Sequence, residues 1–191
     1  MDERILIAKI FIRIGYALIG LATYAIAIYN IMLSRKNKAN NAYSSLDVVL
    51  RKRYDLIPNL VTVVKQYTKH ENETLKELVQ IRTELLKEPQ QQNVADLNET
   101  MNKSLNSIFA YAENYPKLQA SKQYLELQKE LTEIENQISA ARRTYNAHVT
   151  KYNNTIQIFP NNIFAHLFKF EKLDWFEFEK KESVEINFDE K

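Results

Sequence analysis

The sequence contains no cysteine, and its two glycines, Gly15 and Gly20, both lie near the N-terminus. Without cysteine the chain has no disulfide, no thiolate nucleophile and no cysteine metal ligand. Without a glycine after residue 20, it also lacks the glycine-rich loop through which a backbone approaches a phosphate. Nucleotide-binding loops of that kind are therefore excluded, and few positions are left at which the chain can turn tightly.

Proline is also scarce, since the 191 residues include only Pro58, Pro89, Pro116 and Pro160. Long stretches without proline or glycine are typical of helices. The length predicts one domain with accessory segments. The net charge of +2 argues against a nucleic-acid partner. Residues 1–53 are nevertheless basic, with nine Lys or Arg against three acids, whereas residues 170–191 are acidic, with eight acids against four Lys.

An apolar segment, defined here as residues 10–33, follows a short N-terminal tail of residues 1–9. Its last twenty residues, from Ile14 to Leu33, carry no charge. Twenty helical residues rise about 30 Å, which is the thickness of the bilayer hydrocarbon. Basic residues flank both ends and predict a single transmembrane helix with membrane lipids as partners. Because the flanking charges are nearly balanced, the sequence does not indicate on which side of the cell membrane the rest of the chain lies.

Residues 34–158 carry the periodicity of an all-α antiparallel four-helix bundle. From residue 120 onward, apolar residues follow a strict spacing of four and three, which predicts a seam along one long helix. Shorter patterns before it predict three more helices, joined at turns that contain proline. Nothing between Ser34 and Asn41 must stop a helix, so the transmembrane helix can continue into the bundle. The residues of the predicted seam are Ala120, Tyr124, Leu127, Leu131, Ile134, Ile138, Ala141, Tyr145, His148 and Tyr152.

Residues 159–191 form an aromatic and acidic tail without helical periodicity. One interpretation is a tail that packs on the bundle and is partly disordered. The other is a peptide that binds a partner, because exposed aromatic side chains are costly unless something covers them. The residues that would make this tail interaction are Phe168, Phe170, Trp175, Phe176 and Phe178.

Several motifs together resemble the LemA family over nearly the whole chain. The most specific is RKRYDLIPNLV at residues 51–61, and the others are YPKL at 115–118, QKELTEIEN at 128–136, AARRTYN at 140–146, FP at 159–160 and WFE at 175–177. The resemblance implies an N-terminal membrane anchor followed by an antiparallel helical bundle. It implies no reaction.

The RKRYDLIPNLV motif predicts a corner between two helices. Asp55 would accept hydrogen bonds from the second helix, Leu56 and Ile57 would fill the bundle end, and Pro58 would occupy a first turn before Asn59. Since Arg51, Lys52 and Arg53 are consecutive, they point in different directions, and at least one should turn inward. We expect this to be Arg53, beside Tyr54, with Asp55, Glu71 or Glu135 as its partner. A basic site for an acidic partner or lipid head group remains the alternative.

Catalytic chemistry is not indicated. His148 lies in the predicted seam, and His70 is close to Glu71, Glu73 and Glu77 in what we interpret as a solvated polar turn. We therefore expect no catalytic residue, no metal and no cofactor. The favoured function is a membrane-anchored scaffold or adaptor that forms homo-oligomers or holds another membrane protein. The alternative is a membrane-tethered receptor or sensor that binds a ligand or partner through the bundle or the tail.

Overall fold

A computed structural model of the protein describes residues 2–68, 73–87 and 94–176, except for the side chains of residues 2–6 and 8. These residues form helices and connections, with no strand among them. The helices are α1 (Asp2–Tyr67), α2 (Glu73–Lys87), α3 (Val94–Ala112), α4 (Pro116–Gln119), α5 (Lys122–Gln157) and α6 (Asn161–Leu167). The predicted all-α fold is confirmed.

The described residues divide into two compact units. The first takes those within Met1–Ser44 and Arg143–Trp175, and the second takes those within Ser45–Arg142 and Phe176. Because α1 and α5 contribute to both units, the domain boundaries predicted at residues 34 and 159 do not coincide with this division.

The second unit is the antiparallel four-helix bundle, built from α2, α3 and the adjoining parts of α1 and α5. Its core consists of apolar side chains at helical spacing, because each helix presents one apolar stripe to the others. The principal core residues are Leu46, Leu50, Ile57, Leu60 and Val64 from α1, Leu75, Leu78, Ile81 and Leu85 from α2, Met101, Leu105 and Ile108 from α3, and Leu131, Ile134 and Ile138 from α5.

The first unit is built on the N-terminal part of α1 and the C-terminal part of α5. Ile28 and Met32, near the end of the apolar segment, are buried with Tyr152, Ile156 and Ala165. Earlier in the segment, large apolar side chains are exposed from Ile10 to Ile26. The apolar segment is therefore covered by protein on one face at its C-terminal end and uncovered before it.

The predicted corner at Tyr54–Pro58 is wrong. Helix α1 continues through Pro58 and ends at Tyr67, so Leu60 and Val64 belong to the first helix and not to a second one. Proline interrupts helices because it cannot donate to the carbonyl four residues earlier. Here that carbonyl, of Tyr54, accepts a hydrogen bond of 2.8 Å from Nε of Arg82 in α2. The donor missing from the helix is replaced by a side chain from a neighbouring helix.

Five residues of the predicted seam of α5 are buried, namely Tyr124, Leu131, Ile134, Ile138 and Tyr152. The seam residues Leu127, Ala141, Tyr145 and His148 are only half-buried, whereas Val149, which lies outside the predicted seam, is buried. A strict seven-residue repeat advances by 3.5 residues per turn and a straight helix by 3.6, so the buried face moves along a long helix. At the start of the predicted seam, Ala120 is exposed and lies before α5 begins.

Candidate functional site

Arg53 is buried in the second unit, with 1% of its surface exposed. One terminal nitrogen of its guanidinium donates to Oε2 of Glu135 at 2.9 Å and to the side-chain oxygen of Asn102. The other donates to the side-chain oxygen of Asn98. The guanidinium therefore connects α1 with α3 and α5.

Tyr54 extends this network within the bundle. Its hydroxyl donates to the side-chain oxygen of Asn98 at 2.8 Å, and the Asn98 amide donates to the carbonyl oxygen of Val94 at 2.7 Å. The Asn98 oxygen thus accepts from both Arg53 and Tyr54. Buried polar groups of this kind stabilise one arrangement of the helices, because any other arrangement leaves them without partners.

The burial of these groups changes their proton affinity. Burial lowers the pKa of the Arg53 guanidinium below its ordinary value, and the Glu135 carboxylate opposes that change. Burial raises the pKa of the Tyr54 hydroxyl, while its hydrogen bond to Asn98 acts in the other direction. Glu135 is 45% exposed, so the ion pair joins a buried cation to an anion at the bundle surface.

The three consecutive cations lie in different surroundings, as predicted. Arg51 is exposed and pairs with Asp47 at 2.8 Å on the outside of α1. Lys52 is exposed as well, and Arg53 turns inward to Glu135, which is one of its three predicted partners. Of the other two, Asp55 is exposed on α1, whereas Glu71 lies outside the described residues.

The rest of the motif follows the helix. Ile57 is buried in the core and Leu56 is half-buried, while Pro58 and Asn59 are exposed. The motif therefore acts as a continuous helix with one buried face. Its role in binding a partner stays a prediction.

A cleft of about 300 Å³ lies beside the Arg53 network. Polar and apolar side chains from α3 and α5 line it, including Asn102, Asn106, Phe109, Thr132 and Asn136. Nε of Arg53 is buried and has no hydrogen-bond partner among the described residues. The lining offers amide and hydroxyl groups that can hydrogen-bond. Among the residues that the structure describes, no group of three His, Cys, Asp or Glu could hold a metal ion.

The tail docks on α5 within the first unit. Asn153, which is 1% exposed, donates from its amide to the carbonyl oxygen of Leu173 at 2.8 Å and accepts from the Leu173 backbone nitrogen at 3.0 Å. The Tyr152 hydroxyl donates to the Glu171 carbonyl oxygen at 2.7 Å, and the Tyr145 hydroxyl donates to that of Asp174 at 2.9 Å. The side chain of Asn153 thus satisfies both backbone groups of Leu173, which lies outside the helices.

The aromatic residues of the tail are placed individually. Phe168 and Phe170 pack edge to face against Tyr29, with ring centroids 5.1 and 5.6 Å away. Trp175 is 48% exposed and donates from Nε1 to the Thr150 hydroxyl at 3.0 Å. Phe176 is buried, and Phe178 lies outside the described residues. The described tail as far as Trp175 is therefore packed within the first unit, and its role in binding a partner stays a prediction.

The sequence model of the LemA family matches residues 42–188. The chain belongs to the LemA family. The match includes the Arg53 network and the docked tail, and it begins after the apolar segment.

Relatives of this LemA-family chain include Protein LemA of Metamycoplasma hominis, which is 26% identical over 159 residues, covering 83% of this chain and 73% of the relative. Two magnetosome proteins of Paramagnetospirillum magneticum, MamQ 1 and MamQ 2, are each 31% identical over 74 residues. Those shorter matches cover 39% of this chain and 27% of each magnetosome protein.

Sequence reasoning missed the asparagines and Arg82 in this LemA-family chain. Asn98 occupies a buried position of α3, and Asn153 is buried where α5 meets the tail. The available signal was a polar residue on an apolar stripe, since Asn98 precedes Met101, Leu105 and Ile108 at helical spacing. For Arg82 no local signal exists, because its partner Tyr54 is 28 residues away in the chain.

Proposed function

We propose that this chain is a single-pass membrane protein that acts as a non-catalytic scaffold or adaptor and self-associates at the membrane. Its proposed partners are membrane lipids, further copies of itself and, as an extension, another membrane protein. The proposal involves no cofactor and no nucleic acid. The proposal does not specify on which side of the cell membrane the bundle lies.

The observation that carries the proposal is the continuity of α1. This helix is long and apolar enough to span a membrane, and none of its most apolar stretch of 18 residues is buried in the protein. The same helix supplies Leu46, Leu50 and Ile57 to the bundle core. Uncovered apolar surface of this extent is unfavourable in water and favourable in lipid. A bilayer around the apolar segment therefore supports both the exposed helix and the folded bundle that follows it.

Small residues on α1 support self-association. At Gly15 and Gly20 an added Cβ atom would meet nothing within 4 Å. Small side chains allow two membrane helices to approach closely. Since these positions are open in the single chain, a second copy can approach them.

Membrane anchoring is tested by alkaline carbonate extraction of cells that express the full chain. The wild type should stay in the membrane pellet, whereas Leu18→Lys combined with Ile19→Lys should release it, because each central cation costs about 3 kcal/mol in lipid. Matched substitutions Leu18→Ile and Ile19→Leu should have no effect. A wild-type chain found in the supernatant would refute the anchor.

Self-association is tested by the mass of the full chain in detergent over a wide concentration range. We expect a discrete oligomer that Gly15→Leu or Gly20→Leu weakens, whereas Ile26→Leu, which keeps the volume of an exposed side chain, leaves it intact. Monomers at every concentration, with no cross-linked partner, would contradict the scaffold. They would favour the second candidate, a membrane-tethered receptor, for which the cleft beside Arg53 is the supporting observation.

A further inference from the structure

A basic cleft of about 490 Å³ lies between α1 and α5 in the first unit. Three cations from two helices line it, namely Arg35 and Lys38 from α1 and Lys151 from α5. The polar side chains of Asn30, Ser34 and His148 and the apolar side chain of Ile31 complete its lining. This cleft is separate from the Arg53 network, which belongs to the second unit.

The charge of the cleft is not compensated by the protein around it. No acidic side chain lines it, and within the described part of the chain none of its three cations has a carboxylate within 4.0 Å. The surrounding sequence explains this, since α1 has no acid between Glu3 and Asp47, and the chain has none between Glu135 and Glu171. Clustered cations without counter-charges favour an anionic ligand.

The cleft is the uncovered flank of the seam between α1 and α5. On α1, Ile28 and Met32 form the seam, and Tyr29 packs against the tail. With 3.6 residues per turn, Ser34 and Lys38 point to the flank of α1 opposite Tyr29. The chain therefore covers one flank with its own tail and leaves the basic flank open.

Both helices change from basic to apolar surface at the same level. On the part of α1 that belongs to the first unit, the large exposed apolar side chains end at Ile31, and Arg35 follows one turn later. On α5, which runs the other way, Lys151 is followed two turns later by Ile158 and Phe159, both exposed. The packing of Met32 with Tyr152 and Ile156 brings these two transitions together.

The connection between α5 and α6, together with α6, continues the apolar surface. Ile163 and Leu167 of α6 are exposed, and Phe164 packs against Tyr24 of α1 with ring centroids 6.0 Å apart. Exposed apolar side chains on both helices thus adjoin one basic cleft. In a bilayer, phosphate groups lie directly above the hydrocarbon, which reproduces this order.

We propose that the basic cleft binds the phosphate group of an anionic phospholipid whose acyl chains lie along the exposed apolar surfaces of α1 and α6. Arg35, Lys38 and Lys151 donate charge-assisted hydrogen bonds to the phosphate oxygens, and Asn30 and Ser34 add neutral ones. This inference rests on the membrane anchoring proposed above. It adds a defined lipid site to a helix that would otherwise contact lipid without selectivity.

The experiment counts phospholipids that remain bound to the full-length protein when it is released from mixed micelles in native mass spectrometry. The micelles contain phosphatidylcholine alone or with phosphatidylglycerol. The test variant combines Arg35→Gln, Lys38→Gln and Lys151→Gln. The control combines Lys36→Gln, Lys169→Gln and Lys172→Gln, which removes the same charge from the same unit but outside the cleft lining.

We expect the wild type and the control to retain phosphatidylglycerol in preference to phosphatidylcholine. The test variant should bind it about tenfold more weakly than the control, because it loses hydrogen bonds in addition to diffuse attraction. Equal losses in the two variants would overturn the proposal and leave a general attraction of cations to an anionic surface. If the test variant does not fold, Ser34→Phe, which fills the cleft without changing its charge, should show the same selective loss.

Inorganic phosphate distinguishes a lipid site from a site for a free anion. Added to lipid-free protein in detergent, it should bind far more weakly than phosphatidylglycerol, because it gains no apolar contact. Equal affinity for inorganic phosphate would overturn the lipid assignment. Carbonate extraction tests membrane anchoring independently of lipid binding. Both variants should stay in the membrane pellet whether or not the cleft binds a phosphate.

Discussion

Nε of Arg82 in α2 donates a hydrogen bond of 2.8 Å to the backbone carbonyl oxygen of Tyr54 in α1. Tyr54 is four residues before Pro58, whose nitrogen has no hydrogen to donate to that carbonyl. A distant side chain thus satisfies the acceptor that the proline leaves open. This contact explains why α1 reaches Tyr67 through a residue that usually ends a helix.

The first prediction concerns this contact. Arg82→Ala should lower the free energy of unfolding by about 2 kcal/mol, because a charged donor to the Tyr54 carbonyl is lost. The same change in a Pro58→Ala background should cost clearly less, since the alanine nitrogen can make the helical bond. Chemical denaturation of the full chain in detergent measures both, with Lys87→Ala on α2 as the control. Equal costs in the two backgrounds would contradict the coupling.

The second prediction concerns the buried ion pair. Glu135→Leu leaves the Arg53 guanidinium buried without its carboxylate, and we expect a loss of about 3 kcal/mol in unfolding free energy. Adding Arg53→Met should restore part of that loss, because no buried charge then remains. Glu133→Leu, at an exposed acid on the same helix, is the matched control. A double variant less stable than Glu135→Leu would show that Arg53 stabilises the bundle without Glu135.

The third prediction concerns alkaline pH. The folded state raises the pKa of Tyr54 above its ordinary value of 10.0, so its contribution to stability is complete below pH 10. That contribution is lost as the pH rises through the folded pKa, because the unfolded chain ionises first. Tyr54→Phe should therefore reduce the fall in unfolding free energy above pH 10.

Denaturant titrations at a series of pH values measure the slope with which the unfolding free energy falls above pH 10. The slope should be reduced and not abolished, because burial also raises the pKa of Tyr124, Tyr145 and Tyr152. Tyr67→Phe, at an exposed tyrosine, serves as the control. An unchanged slope in Tyr54→Phe would mean that its hydroxyl is not buried in solution.

The fourth prediction concerns the docked tail. Asn153→Ala removes both hydrogen bonds to Leu173 and should free the segment around Trp175, the single tryptophan of the chain. Its fluorescence should shift to longer wavelength as its exposure increases. Asn153→Asp keeps the acceptor and loses the donor, so it should give a smaller shift. Asn154→Ala, at the exposed neighbouring position, should give no shift. A comparable shift there would contradict the inference that the Asn153 hydrogen bonds hold the tail.

Much of the fold could be predicted because it depends on local spacing. The apolar segment, the helical content and much of the seam of α5 follow from residues three and four positions apart. The inward turn of Arg53 was also predictable, since three consecutive cations cannot all reach water on a packed helix, and Glu135 was one of the three partners that the sequence offered.

Other features could not be predicted, because they depend on which distant groups meet. Pro58 is a strong local signal for a helix end, but Arg82 from another helix donates to the carbonyl that the proline leaves without a partner, and α1 continues. Asn153 looks like a surface residue of a polar stretch, yet its amide matches both backbone groups of Leu173. His148 is only half-buried, because the difference between a repeat of 3.5 residues and the 3.6 residues of a helical turn accumulates along a long helix.

By itself, the sequence determined that the chain is helical and that one segment is apolar enough to cross a bilayer. It also determined that no acid lies between Glu3 and Asp47 or between Glu135 and Glu171. Those properties are set by composition and by the order of neighbouring residues. Only the tertiary structure decided that α1 passes through Pro58, that Arg53 is buried among asparagines, and that the tail covers one flank of the α1 and α5 seam. Each of these depends on groups far apart in the chain whose hydrogen bonds and buried surfaces are complete only when the helices pack together.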